Sequence, residues 1–147
     1  MRFFVIATAL LSLAFVARAA DDGPKSPATV VKADAVTAGF LKGGTIVNGG
    51  DFLVQTSRRV KAGTPEAHMN QDEIMYVVDG SATMVTGGTI VGRKEGKNGN
   101  VGGTGSEGGV EAKISKGDVV AVPKGTAHWF KEVPEAINYY VVKVNHK

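Results

Sequence analysis

A chain of 147 residues with 43% apolar and 21% charged side chains can bury a single core and lacks the bias of a disordered polyelectrolyte. It contains no cysteine, which excludes disulfides, thiolate metal sites and thiol nucleophiles. Its formal charge of +3 owes much to its first twenty residues, so a dense basic surface for nucleic acid is not expected.

In chain order, Met1-Arg2 is a short basic start, Phe3 to Val16 is almost entirely apolar, and Ala17-Arg18-Ala19 is a small-x-small site. This pattern predicts a secretory signal peptide over residues 1–19. The apolar run is shorter than the roughly 20 residues of a spanning helix, and polar Asp21-Asp22 follows it. Removing Arg2 and Arg18 from the 17 basic side chains leaves 15 against 14 acidic ones, a net charge of +1. The expected mature protein is periplasmic or secreted, without a membrane or nucleic-acid partner. Residues 20–29, with two prolines and several polar groups, predict a flexible segment, and residues 30–147 a single domain.

Ala33, Val36 and Phe40 fall at i, i+3 and i+7, which predicts one short helix between Lys32 and Leu41, stopped by Gly43-Gly44. From Thr45 onward the chain changes to short runs rich in Val, Ile, Thr, Phe and Tyr, separated by Gly, Pro, Asn and Asp. The predicted strands are 45–47, 51–60, 72–78, 81–86, 89–91, 110–115, 118–122, 127–131 and 137–144. Many short strands with regular turns predict an all-β sandwich or barrel. Asp79-Gly80 reads as a tight hairpin between two of them.

Residues 87–109 carry ten of the twenty glycines and read as a mobile hairpin insertion. Within them Gly103-x-Gly105-x-x-Gly108 matches a dinucleotide fingerprint. That function requires a strand before the fingerprint and a helix after it, whereas Val110-Glu-Ala-Lys-Ile reads as strand.

The residues that carry chemistry are Glu66, His68, Glu73 and His128. On an extended strand i and i+2 share a face, so Glu66 and His68 point together. Glu73 returns from the next strand with Met75 and Val77 on its face. His128 follows the rigid turn Pro123-Lys-Gly125 and shares its face with Phe130. Two imidazoles and a carboxylate meeting in a barrel match the facial arrangement of non-haem Fe(II) sites. Met75, Phe130 and Arg58 are the predicted substrate-pocket residues; alternation lets only one of Arg58 and Arg59 face inward, where it would grip an anion.

These residues resemble the two motifs of the cupins. Glu66-x-His68-x4-Glu73-x6-Gly80 follows the first, with Glu66 where histidine is usual, and Gly117-x5-Pro123-x-Gly125-x2-His128 follows the second, with Glu132 where asparagine is usual. The resemblance covers residues 51–144 and implies a double-stranded β-helix, a jelly-roll-like barrel with His68, Glu73 and His128 as metal ligands. Glu66 is open to three roles: a fourth ligand, a catalytic general base beside the metal, or a salt-bridge partner of Arg58 or Arg59. With Glu66 as ligand, two carboxylates and two neutral imidazoles favour Fe(II) or Mn(II), with Zn or Ni as further occupants.

The first expectation for function is an exported metal-dependent enzyme on a small organic molecule, with oxygenase chemistry of the cupin dioxygenase kind ahead of isomerase or lyase chemistry. The alternative is a non-catalytic module that binds a metal or small ligand. A homodimer is expected in either case.

Overall fold

The computed structural model describes residues 27–147. The predicted signal peptide 1–19, and the segment that follows it as far as residue 26, lie outside the described residues.

The chain begins with helix α1 (Ala33–Lys42), which ends where Gly43 takes a φ of 69°. The strands follow in order: β1 (Gly44–Asn48), β2 (Phe52–Arg59), β3 (Glu66–His68), β4 (Gln71–Thr86), β5 (Thr89–Val91), β6 (Lys94–Glu95), β7 (Asn100–Gly102), β8 (Gly105–Glu107), β9 (Val110–Ser115), β10 (Val119–Val122), β11 (His128–Glu132) and β12 (Ile137–Asn145). The expected all-β, jelly-roll-like barrel with one short N-terminal helix is what the chain forms.

Two sheets share the long strand β4. Its first half pairs with β12 and β10, and β12 passes the sheet on to β2 and β1. Its second half pairs with β9 and β11, beyond which lie β3, β7 and β6. Alternation decides what lies between them: Met75, Val77, Ile137, Tyr139 and Val141 from the first sheet meet Ala82, Met84, Ile114 and Phe130 from the second in one buried cluster. Ile74 and Tyr76, one step out of phase, are exposed.

The hairpin predicted at Asp79-Gly80 is not formed. The two strands expected on either side of it are one strand of 16 residues. Gly80 pairs with Ile137, and the register shifts between Asn138 and Tyr139, which leaves Val78 as the extra residue of a bulge. Gly80 has a φ of 81°, and a Cβ there would lie 1.9 Å from the carbonyl oxygen of Ala136. A bulge beside a left-handed glycine bends a strand without reversing it. Asp-Gly therefore marks the corner where the chain passes from one sheet to the other.

The glycine-rich segment also differs from the predicted hairpin. β7 runs antiparallel to β3, with Asn100 opposite His68, and β5 pairs with β8. Ile90 of β5 joins Ala67, Val101 and Ala127 in a second buried cluster. Ala67 and Ala127 are out of phase with the inward-facing His68 and His128, so this ribbon covers the outer side of the second sheet. The helix does the same for the first sheet, with Phe40 edge-on to Tyr140 at 5.1 Å. The fingerprint Gly103–Gly108 runs into β8 and then β9, with no helix to receive a pyrophosphate.

The corner predicts a contrast between two glycines. Gly87 also has a positive φ, 73°, but open space where a Cβ would stand. Gly87→Ala should cost about 1 kcal/mol, the penalty of the left-handed conformation alone, while Gly80→Ala should cost about 3 kcal/mol or more, because the backbone of Ala136 must also move. Urea midpoints of the two variants check this; equal losses would contradict the role assigned to Gly80.

Candidate metal centre

Three strands deliver the site. β3 carries Glu66 and His68 on one face, β4 brings Glu73 after the turn at residues 69–70, and β11 brings His128 after the turn 123–125. His128 pairs in register with Glu66. The turn before β11 is tied to β3 by Gly125 N–H donating to the carbonyl of His68 at 2.8 Å. It is tied to β4 by Lys124 N–H donating to Asp72 Oδ1 at 2.7 Å.

The side chains converge. His68 Nε2 and His128 Nε2 each lie 3.2 Å from an oxygen of Glu73, and Glu66 Oε1 lies 3.7 Å from His128 Nε2. One ligand atom from each of Glu66, His68 and His128 falls within 4.8 Å of the others. Glu73 is 3% exposed and His128 2%, whereas the Glu66 side chain is 44% exposed and forms the outer rim.

Backbone and amide contacts set the direction of both rings. The Nδ1 atoms face oxygens, Asn100 Oδ1 at 2.6 Å for His68 and the Thr126 carbonyl at 3.2 Å for His128. An oxygen that only accepts fixes the proton on Nδ1, so each neutral ring turns a bare lone pair at Nε2 toward the centre. Glu73 Oε2 is near His128 Nε2 without the alignment of a hydrogen bond, and that buried nitrogen has no hydrogen-bond partner. The centre thus gathers two imidazole lone pairs and two carboxylates, acceptors facing acceptors. Only a cation or protons satisfy such a set, and these donor types fit a divalent ion.

One cation is already part of the chain. Lys143, inward on β12, places its ammonium 2.6 Å from Glu73 Oε1 and 3.4 Å from His68 Nε2. Burial alone would raise the Glu73 carboxyl, but the close approach of His128, His68 and Lys143 outweighs it and holds the group far below the usual carboxylate range. The contact with Glu73 raises His68 above its ordinary 6.5 despite burial, with Asn100 acting in the same direction.

The other predicted residues fall as follows. Met75 and Phe130 line a cavity of about 150 Å³ that reaches Glu66 and Glu73. Arg58 does not: it faces the outer side of β2, where it bonds Asn138 Oδ1 at 3.3 Å and lines the groove under α1. Arg59, its neighbour of opposite parity, takes the inward place. Among the described residues Glu66 forms no salt bridge with either arginine; its ionic neighbour is His128. His146 pairs with Asp72 at 2.6 Å, away from the centre. Lys143 and Asn100 escaped the sequence reading. The alternation Ile137, Tyr139, Val141, Lys143 places the lysine inside, whereas nothing in the glycine-rich segment singles out Asn100.

With the geometry in place, comparison gives its relatives. Residues 53–147 match the family model described as Cupin. BH2720 from Bacillus halodurans is 15% identical, with 86% of each chain covered and a TM-score of 0.57. FeII HppE is 14% identical, with 69% of this chain and 49% of that chain covered and a TM-score of 0.51, so this chain spans about half its length. A cupin-2 domain containing protein from Shewanella frigidimarina is 14% identical, with 70% and 79% covered and a TM-score of 0.48. At these identities the likeness to the first two shows the fold alone. No curated protein matches the chain.

Two outcomes follow from the charge network. Lys143→Met should destabilise the metal-free protein by about 3 kcal/mol, because it strands the buried Glu73 carboxylate, and Mn(II) should restore most of the loss; a change within error would contradict the pairing. The stability that metal-free protein gains from a raised His68 is fully present below pH 6.5 and is lost as pH climbs through the higher folded value. Metal-free thermal midpoints should therefore fall as pH rises above 6.5, whereas the stabilisation given by added Mn(II) should grow over the same range as His68 deprotonates.

Proposed function

The chain belongs to the cupin family, and from that premise we propose that it is an exported, metal-dependent enzyme acting on a small organic molecule. The observation that carries the reading is the buried meeting of imidazole lone pairs and carboxylates, with His128 Nε2 left without a partner. His68, His128 and Glu73 would hold the ion, and Glu66 would complete the set from the rim. Two carboxylates and two neutral imidazoles balance a divalent charge, which favours Fe(II) or Mn(II), and the absence of thiolate donors argues in the same direction.

Such an ion would act as a Lewis acid on a carbonyl or hold substrate beside oxygen, which places oxygenase chemistry ahead of isomerase or lyase chemistry. The chain's own groups supply the rest. Asn100 and the Thr126 carbonyl keep the rings in the coordinating tautomer. Lys143 offers an ammonium donor at the wall of the cavity, where Met75, Phe130, Tyr139 and Val141 stand among charged and polar side chains. Placement outside the cytoplasm rests on the leader 1–19, which lies beyond the described residues. A homodimer belongs to the same proposal, supported by Ile74, Tyr76 and Val119 exposed on the outer face of the first sheet.

Protein purified without a histidine tag should carry near-stoichiometric Fe or Mn by elemental analysis. His128→Ala should remove it, and metal retained at wild-type level in that variant would contradict the site. Glu66→Gln separates ligand from base: with Glu66 as ligand, metal content and activity fall together, and activity lost with metal kept would make it a base. Oxygen consumption with small phenols, diketones and thiols supports an enzyme; tight binding without consumption supports a binding module instead.

A further inference from the structure

The cavity beside the metal centre has a second polar pole that the ligands leave unused. β2 turns Gln55, Ser57 and Arg59 into it, and all three line the same space as Glu66, Glu73 and Lys143. The charges there are unequally matched. Lys143 is paired with Glu73 at 2.6 Å, and Glu66 lies against His128. Arg59 has no carboxylate partner among the described residues, and its buried Nε meets no acceptor. The guanidinium is nevertheless held in place: it lies 4.7 Å from the centroid of the Phe130 ring and packs against Gly63, where a Cβ would stand 2.6 Å from Nη1. Gly63 is itself fixed, since its carbonyl accepts from Trp129 Nε1 at 2.8 Å and its N–H donates to the Phe130 carbonyl at 2.9 Å.

We propose that this cavity receives the carboxylate of a small monoanionic substrate, with Arg59 as the residue that takes its charge. A guanidinium fixed by stacking presents a planar fork of N–H donors, the shape that a carboxylate meets with two parallel hydrogen bonds. Ser57 adds a hydroxyl donor on the same strand face. One unpaired positive charge matches one negative charge, because Lys143 is already engaged by Glu73; a phosphate dianion would bring an excess charge toward Glu66 and Glu73. At about 150 Å³ the cavity suits a small acid rather than a bulky one. The same cavity reaches Glu66 and Glu73, so an acid anchored at Arg59 shares the space with the metal ligands. The inference rests on the metal reading for the role of that shared space only; the anion site itself does not require the ion.

The test is calorimetric titration of the Mn(II)-treated protein with lactate, pyruvate and 2-oxobutanoate, and with lactamide as the uncharged match for lactate. Metal content is measured on each sample. Wild type should bind at least one of the acids, and lactate at least tenfold more tightly than lactamide. Arg59→Gln should lose that preference while keeping its metal. Gly63→Ala, which retains the arginine but pushes its guanidinium aside, should weaken acid binding as well and serves as the second probe if Arg59→Gln does not fold. Equal binding of lactate and lactamide, no binding of any of the three acids, or unchanged acid binding in the arginine variant would overturn the proposal. Arginine-dependent acid binding by a protein that takes up no Mn(II) would uphold the anion site and sink the metal reading, so the two failures are distinguishable.

Discussion

A carboxylate buried in the middle of a β-barrel sets the constraint that the site around it must meet. Glu73 sits on the inward face of β4, 3% exposed, between two imidazoles and an ammonium. An ionised carboxyl at that depth is tolerated only where opposite charge and donors surround it. Each main feature of the fold contributes to that surrounding. The corner at Gly80 lets one strand serve both sheets, β12 brings Lys143 from the first, and β11 and β3 bring His128 and His68 from the second.

The same atoms have more than one way to be neutralised. Protons on the imidazoles, the Lys143 ammonium and a divalent ion all answer the negative charge of Glu73, and they compete for overlapping positions. This links stability to function: the network that keeps the metal-free protein folded is the network an incoming ion must rearrange. Asn100 and the Thr126 carbonyl bias the competition by fixing the ring protons away from the centre. A segment that reads as a loose glycine-rich insertion therefore takes part in the site, since β7 carries the asparagine that orients His68.

How far the sequence was legible depended on whether a residue's neighbours share its pattern. His68, Glu73 and His128 stand in alternating runs at spacings that resemble the cupin motifs, so their face and company were readable. Parity along β2 allowed one inward arginine but did not say which; Thr56, buried under the helix on the even face, settles it in favour of Arg59. Asp79-Gly80 carried a true signal for a left-handed glycine, but the same dipeptide serves a hairpin and a bulged corner, and only the pairing of Gly80 with Ile137 separates them. Lys143 continues the inward row of β12, yet a lysine near a chain end reads as solvated until its buried partner is known. Asn100 lies among glycines with no periodicity to follow.

The proposed chemistry requires a divalent ion between the two histidines. Anomalous diffraction from crystals of the mature protein grown with Mn(II) tests it most directly. A single strong peak is expected within bonding distance of His68 Nε2, His128 Nε2 and a Glu73 oxygen, with the Lys143 ammonium still paired with the same carboxylate. Mn(II) bound elsewhere in the crystal, with no peak between the two imidazoles, would overturn the site.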